Sequence, residues 1–270
     1  FGTAKVRHLS NPTRSIMSSV RLEVRDRVAF LTIDRPEALN ALNAPTIQAL
    51  HEQVVALDAN DDVRVVVLTG AGPKSFVAGA DIAEFAGYSP EEGKALAQRG
   101  HELLFNRIAQ ARKPYIAAVN GFALGGGLEL AMACHVRLAS SSARMGLPEA
   151  SLGVIPGYGG TQRLVQLVGK GRALEMMFSA SMIDAAKAET WGLVNAVHEP
   201  DQLLEAAEAM ARQFIKASGD AQTAIIRTAN AATEGGPGFA AEIEEFGARF
   251  ATAEFTEGTT AFLEKRKPSF

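Results

Sequence analysis

The chain has 270 residues, of which 47% are hydrophobic, and a formal net charge of −3. A chain of this length can bury a sizeable core as one large domain, or as one domain with a small appendage. The slightly acidic balance gives no general attraction to nucleic acid or to an anionic membrane, and no apolar run is long enough to span a bilayer. These bounds predict a globular protein that binds neither nucleic acid nor membrane.

The cysteine and histidine content limits which kinds of functional site the chain can contain. The single cysteine, Cys134, cannot form an internal disulfide, which suits a reducing compartment and predicts a cytoplasmic protein. The five histidines are scattered without metal-ligand spacing, and no Gly-x-Ser-x-Gly elbow is present. We therefore predict no metal site and no serine-hydrolase site.

The first sixteen residues differ in composition from the rest. They contain Lys5, Arg7 and Arg14 but no acidic residue, and Met17 resembles a natural start. Residues 1–16 are interpreted as an N-terminal extension, either an expression remnant or, as the less favoured alternative, part of a targeting peptide. A secretory signal is not predicted, because the segment lacks the apolar run that one needs.

Apolar patterning predicts alternating strands and helices followed by helices alone. Strands are predicted within 20–34 and at 63–68, 116–119, 135–139 and 193–198, and helices at 43–57, 89–110, 128–133, 161–168, 171–179 and 184–189. From residue 201 onward the pattern is mostly helical. This order predicts an α/β body with an all-helical C-terminal part.

One stretch, 114–129, is the strongest candidate for a site. A strand-like apolar run and an Asn120-Gly121 turn lead to three glycines, 125–127, at the start of a helix. Bare backbone at a helix start can hold an oxygen anion, and the helix dipole there favours the carboxylate form of Glu129. The spacing fits neither a phosphate loop nor a dinucleotide fingerprint. Tight helix–strand packing with Glu129 solvated remains an equally open interpretation of this stretch.

The loop at 74–82 is apolar and built from small residues. Small side chains let a ligand approach the backbone closely, although a tightly packed connection explains the loop equally well.

Five segments, in order along the chain, resemble the crotonase (enoyl-CoA hydratase/isomerase) superfamily. They are RPEALNAL at 35–42, FVAGADI at 76–82, AVNGFALGGG at 118–127, PEASLGVIPGYGGTQRL at 148–164 and AFLEKRK at 261–267. The match runs from about residue 20 to the end and is closest to enoyl-CoA hydratase.

The resemblance implies a fold and a ligand. The fold is an α/β spiral of ββα turns, with a core at 17–200 and a C-terminal helical region at 201–270 that forms trimers, often paired into hexamers. The ligand is a coenzyme A thioester, whose carbonyl oxygen would lie between the backbone N–H groups of Ala80 and Gly126. No separate cofactor is implied, because coenzyme A is part of the substrate.

The resemblance also implies the reaction, because glutamates occupy both positions at which family hydratases carry them. Glu149 would donate a proton to C2 and Glu129 would act as the base that orients water. This pair favours an enoyl-CoA hydratase, a hydro-lyase that adds water reversibly and syn to a trans-2-enoyl-CoA. The product would be a 3-hydroxyacyl-CoA of fatty-acid or related acyl-CoA degradation.

Positions matching the family's substrate contacts extend the predicted site. They are Ala38, Ala78, Asp81, Ile82 and Ala83 around coenzyme A, Phe85 and Tyr158 along the acyl pocket, and Phe262 and Lys265 toward a neighbouring subunit's ligand. Family members often carry a basic residue where Glu37 and Ala83 stand. Phosphate contacts are therefore expected from Lys74 or the 265–267 tail.

Two alternatives remain at this point. A Δ3-Δ2 enoyl-CoA isomerase, or another crotonase-type acyl-CoA enzyme, would use the same oxyanion site. A non-enzymatic RNA-binding or scaffold homologue would need a lysine-rich exposed helix, which the acidic balance disfavours. The sequence leaves open the acyl chain length, the pathway, and the choice between trimer and hexamer.

Overall fold

The computed structural model describes residues 19–233 and 235–270, so the predictions for residues 1–16 and Met17 lie outside it. Within the described residues the strands are β1 (Val20–Arg25), β2 (Val28–Ile33), β3 (Val65–Gly70), β4 (Ser75–Val77), β5 (Tyr115–Val119), β6 (Phe122–Leu124), β7 (Val136–Ser140), β8 (Arg144–Gly146), β9 (Met182–Asp184) and β10 (Ala196–His198). The α-helices are α1 (Ala44–Ala59), α2 (Pro90–Gly100), α3 (Asn106–Ala109), α4 (Gly126–Ala133), α5 (Gly160–Val168), α6 (Lys170–Ser179), α7 (Ala185–Trp191), α8 (Leu203–Ile215), α9 (Gly219–Thr233), α10 (Gly238–Arg249) and α11 (Ala253–Leu263).

The larger sheet has the strand order β1-β2-β3-β5-β7-β10, with β1 antiparallel to β2 and the other neighbours parallel. Strands β3 and β5 are buried along their whole length, as expected for parallel strands covered on both faces. Val65 and Val67 pack against α8, whereas Val66 and Leu68 face the larger core that contains α1 and α4. The predicted α/β body is confirmed.

The smaller sheet has the order β4-β6-β8-β9 and consists of three-residue strands. Strands of the two sheets alternate along the chain: β3 is followed by β4, β5 by β6 and β7 by β8, and each pair leads into a helix. This alternation is the ββα spiral that the resemblance to the crotonase superfamily implied. Strand β4 lies within the segment that was predicted to be a loop, which is a correction to that prediction.

The helix predicted at 89–110 is interrupted by a π-helical turn. Ser89 caps α2 with a reciprocal capping box, as the sequence predicts. After α2 the π-helical turn His101–Phe105 inserts extra backbone before α3 begins at Asn106. Such turns change which side chains face a neighbouring element and occur often at functional sites.

The C-terminal helices differ in how they pack. Helix α8 buries Leu203, Ala207 and Ala211 against the larger sheet. Helix α10 exposes large apolar side chains, with Phe239 86% and Phe246 67% exposed. The division at residue 200 and the trimerisation of this region stay predictions. Among the residues that the structure describes, none of the helices is both long and apolar enough to cross a membrane.

Candidate active site

The start of helix α4 packs closely against strand β4. A Cβ added at Gly127 would lie 1.9 Å from the Val77 carbonyl oxygen, so only glycine fits at this contact. Gly125, with φ of +49°, turns the chain from β6 into the helix. The Gly126 N–H, in the first turn of α4, donates to no other residue in the part of the chain that the structure describes.

A second backbone N–H, that of Ala80, lies opposite. An isolated parallel bridge ties the Ala80 loop to Leu42: the Leu42 N–H donates to Gly79 and the Asp81 N–H donates to Leu42. This pattern uses the groups on either side of Ala80 and leaves its own N–H without an acceptor in the described residues. A Cβ built on Gly126 would lie 3.6 Å from the Ala80 nitrogen, so the two N–H groups border the same space.

Glu129 is held by the loop before α5. Its side chain is 1% exposed, and its Oε1 accepts hydrogen bonds from the N–H groups of Tyr158 at 2.8 Å and Gly160 at 2.7 Å. Burial raises the pKa of Glu129 to about 7, the two N–H donors and Arg163 oppose the rise, and nearby Glu149 adds to it. The interpretation with Glu129 solvated is therefore wrong. Burial also outweighs the helix dipole that was expected to favour the carboxylate form.

Glu149 lies on a 3₁₀ turn, Pro148–Leu152, across the cavity from α4. Its Oε2 is buried and has no hydrogen-bond partner among residues 19–233 and 235–270. Its Oε1 would lie 2.7 Å from a Cβ at Gly125, so the glycine makes room for this carboxyl. Burial raises the pKa of Glu149 as well.

These groups surround one cavity of about 270 Å³. The predicted site residues that line it are Ala78, Ala80, Ile82, Phe85, Gly126, Glu129, Glu149 and Tyr158. Glu129 and Glu149 are the carboxyl groups among its lining residues, and most of the rest are small or apolar. Two carboxyls, one buried and one half-buried, beside two N–H groups that have no acceptor in the described residues can move protons next to an oxygen that develops negative charge.

The other predicted residues do not line this cavity. Ala38 ends a 3₁₀ turn whose next residue, Leu39, accepts a hydrogen bond from the Ala78 N–H, so the turn adjoins the cavity wall. Asp81 lies 3.7 Å from Arg35 in an ion pair, and Ala83 is exposed. Phe262, which is 81% exposed, lies in the last turn of α11, and Lys265 follows the end of that helix.

Sequence reasoning missed the apolar residues that line one side of the cavity. They are Leu96 and Ala97 on α2 and Leu152, Val154 and Ile155 beside the Glu149 turn. It also missed how the Tyr158 ring is placed: the ring stacks on Phe105 with centroids 4.5 Å apart, and a Cβ at Gly100 would lie 2.2 Å from it. Gly100, inside a predicted helix, was the available signal for this close contact.

Comparison with known proteins agrees with this geometry. A family model described as enoyl-CoA hydratase/isomerase matches residues 23–270. A short-chain-enoyl-CoA hydratase of Clostridium acetobutylicum is 44% identical over 256 residues, which cover 93% of this chain and 97% of the relative. A crotonyl-CoA hydratase of Syntrophomonas wolfei is 43% identical over 257 residues, covering 93% of this chain and 97% of the relative.

Solved structures of enoyl-CoA hydratases resemble this chain as well. An enoyl-CoA hydratase crystal structure from Bacillus anthracis superposes with a TM-score of 0.88 at 33% identity, covering 93% of this chain and 98% of that chain. A Geobacillus kaustophilus structure described as enoyl-CoA hydrates subunit I superposes with a TM-score of 0.89 at 40% identity, covering 95% of this chain and 99% of that chain. With its fold, its cavity and a family match over residues 23–270, this chain belongs to the enoyl-CoA hydratase/isomerase family, the crotonase superfamily.

Proposed function

We propose that the chain is an enoyl-CoA hydratase that adds water reversibly to a trans-2-enoyl-CoA and forms a 3-hydroxyacyl-CoA. The observation that carries this proposal is the pair of glutamates, buried Glu129 and half-buried Glu149, lining one cavity with the N–H groups of Ala80 and Gly126. The relatives described as short-chain and crotonyl-CoA hydratases support a short acyl chain as substrate. The activity is that of a hydro-lyase.

The two backbone N–H groups bind the thioester carbonyl oxygen. When the water oxygen bonds to C3, negative charge moves to the thioester oxygen and an enolate forms. Donors that are already in place stabilise that charge without reorganisation, and each contributes roughly 3–4 kcal/mol at the transition state. Neither N–H has another acceptor in the described residues, so neither must break a hydrogen bond to take this role.

The glutamates divide the proton transfers. Oε1 of Glu129 already accepts two hydrogen bonds, so its other oxygen is the one available to take a proton from water. The water oxygen bonds to C3, and Glu149 delivers a proton to C2 from the same side of the chain. Burial raises the pKa values of both carboxyls, and nearby Glu149 raises that of Glu129 further.

Binding of coenzyme A is proposed along the turn that ends at Ala38 and the segment 78–83. We expect no further cofactor, because the chemistry needs only the two carboxyls and the N–H groups. We also expect a trimer or hexamer in the cytoplasm, in which Phe262 and Lys265 reach a neighbouring subunit's substrate. The exposed aromatic side chains of α10 support an association surface in the C-terminal region.

Crotonyl-CoA tests the function directly. Loss of enoyl absorbance, with 3-hydroxybutyryl-CoA identified as the product, is the expected result. A 3-enoyl-CoA offered in parallel tests the isomerase. Isomerisation that outpaces hydration would replace the hydratase with that alternative, and a folded protein that binds coenzyme A but turns over neither substrate would reject both.

A further inference from the structure

An arginine and an asparagine brace the loop that holds Glu129. The Arg163 guanidinium, on α5, donates from Nη1 to the Tyr158 carbonyl oxygen at 2.9 Å. Its Nη2 donates to Asn106 Oδ1, also at 2.9 Å. Asn106 is the first residue after the π-helical turn, so this turn sets where the side chain that anchors Arg163 lies.

The braced loop is the one that supplies both hydrogen bonds to Glu129. Tyr158 uses its N–H for Glu129 and its carbonyl oxygen for Arg163, so one residue connects the two side chains. Gly159 has φ of +104°, and a Cβ there would lie 2.3 Å from Arg163 Nη1. The guanidinium therefore lies directly against the loop backbone, where no side chain fits between them.

Arg163 acts from the opposite side of the loop to the substrate cavity. Glu129 lines the cavity of about 270 Å³. Arg163 and Asn106 line a different cavity, of about 870 Å³, and neither is among the residues around the carboxyls. Arg163 does not line the substrate cavity, so it can act on the reaction only through the loop backbone or through its charge.

We propose that Arg163, anchored by Asn106, is a positioning residue for hydration: it fixes the two N–H donors of Glu129 and favours the ionised form of that carboxyl. This inference rests on the proposed function and on Glu129 as the base. A bidentate arginine suits the role, because its planar fork bonds two acceptors in a fixed geometry while keeping its charge.

The charges around Glu129 determine the direction in which its pKa moves when Arg163 is replaced. Glu149, on the 3₁₀ turn, raises the pKa of Glu129, and Arg163, on α5, lowers it. Tyr158 in the braced loop stays protonated, since burial raises its own pKa to about 12. The other ionisable side chains around the cavity that Arg163 lines are His101, Glu102, Cys134, His135 and Arg137. Without the arginine charge, the pKa of Glu129 moves further up, and ionised base is available only at higher pH.

Three variants separate charge from geometry. Arg163→Gln removes the positive charge. Arg163→Lys keeps the charge but loses the planar guanidinium, and Asn106→Ala removes the side chain that accepts the Arg163 Nη2 hydrogen bond. Arg172→Gln, an arginine on α6 outside both cavities, is the matched control. The measurement is kcat and KM for crotonyl-CoA across pH, with the thermal midpoint recorded for each protein.

For Arg163→Gln we expect kcat to fall about tenfold or more with KM changed less, because the residue touches no substrate. The acidic limb of its pH profile should move up by roughly 0.5 to 1 pH unit. Arg163→Lys and Asn106→Ala should lose kcat while the limb stays in place. Should Arg163→Gln fail to fold, the kcat loss and the unmoved limb of these two variants carry the test.

Wild-type kcat and an unmoved limb in Arg163→Gln would overturn the positioning role, as would a loss confined to KM. Wild-type kcat in both Arg163→Lys and Asn106→Ala would overturn it too. A wild type that hydrates no enoyl-CoA would instead reject the proposed function itself, so the two failures are distinguishable.

Discussion

The two glutamates of the cavity come from walls that are built differently. Helix α4 presents Glu129 almost wholly buried, with one oxygen fixed by two backbone N–H groups. The 3₁₀ turn presents Glu149 with a buried Oε2 that has no partner in the described part of the chain. A carboxyl fixed in place suits the orientation of water, and one with an unengaged oxygen suits the delivery of a proton. Two glutamates held in different surroundings can thus carry out different proton transfers of one reaction.

The largest loss of activity is expected when each carboxyl is neutralised in turn. Glu129→Gln and Glu149→Gln are each expected to lower kcat for crotonyl-CoA hydration by about 10³-fold, since each removes one proton-transfer group. Steady-state kinetics with crotonyl-CoA measures this. A variant that keeps more than a tenth of the wild-type kcat would show that its glutamate is not needed for the reaction.

A methyl group at Gly126 tests the space between the walls. The added Cβ would meet Tyr158 at 3.5 Å and the Ala80 nitrogen at 3.6 Å, which are ordinary contacts, so Gly126→Ala should fold. It would nevertheless occupy the space bordered by the two N–H groups and should lower kcat by roughly 10²-fold. Gly171→Ala, where a Cβ meets nothing within 4 Å, is the control and should keep full activity. Full activity in Gly126→Ala would place the oxyanion elsewhere.

The stability of the fold should report the burial of Glu129. The pKa of Glu129 is about 7 against an ordinary value of 4.5, so the folded state binds more protons than the unfolded state between these pH values. Stability is therefore lost as pH rises through this window, by up to about 3 kcal/mol. Denaturant unfolding should find Glu129→Gln more stable than wild type at pH 8 and equal to it at pH 4. Equal stability of the two proteins at pH 8 would contradict the raised pKa.

Tyr158 lies between the two walls of the cavity and is expected to set the preferred acyl chain length. Its ring contacts Phe105 and Gly100 and lines the cavity, so it should limit the length of the acyl chain. Tyr158→Ala should raise kcat/KM for a long 2-enoyl-CoA relative to crotonyl-CoA by about tenfold. Tyr158→Phe keeps the ring and should keep the wild-type preference. An unchanged ratio in Tyr158→Ala would mean that the chain leaves the cavity by another route.

Much of the fold was predictable, because its central strands are covered on both faces. The run at 63–68 is almost wholly apolar, and strand β3 overlaps it, two residues further along at 65–70. Strands β4, β6 and β8 were harder, since three residues are too short for an alternation of apolar and polar side chains. The π-helical turn changes the helical period for a single turn, which a pattern over many residues does not resolve.

The candidate site was predictable in position but not in electrostatics. Small residues at 78–80 and 125–127 marked where a ligand can approach backbone, and the structure places both segments at the cavity. The pKa of Glu129 depends on the loop at 158–160, about thirty positions away in sequence, which folds over the carboxyl. Long-range burial of this kind leaves no local pattern.

The measurement that tests the division of roles most directly is proton exchange at C2 of butyryl-CoA in D₂O, followed by NMR. Butyryl-CoA has no double bond and no C3 hydroxyl, so exchange reports proton transfer at C2 alone. Wild type and Glu129→Gln should exchange this proton, and Glu149→Gln should be slower by about 10²-fold or more. Exchange that survives in Glu149→Gln but is lost in Glu129→Gln would contradict the account, because it would assign the C2 proton to the other wall.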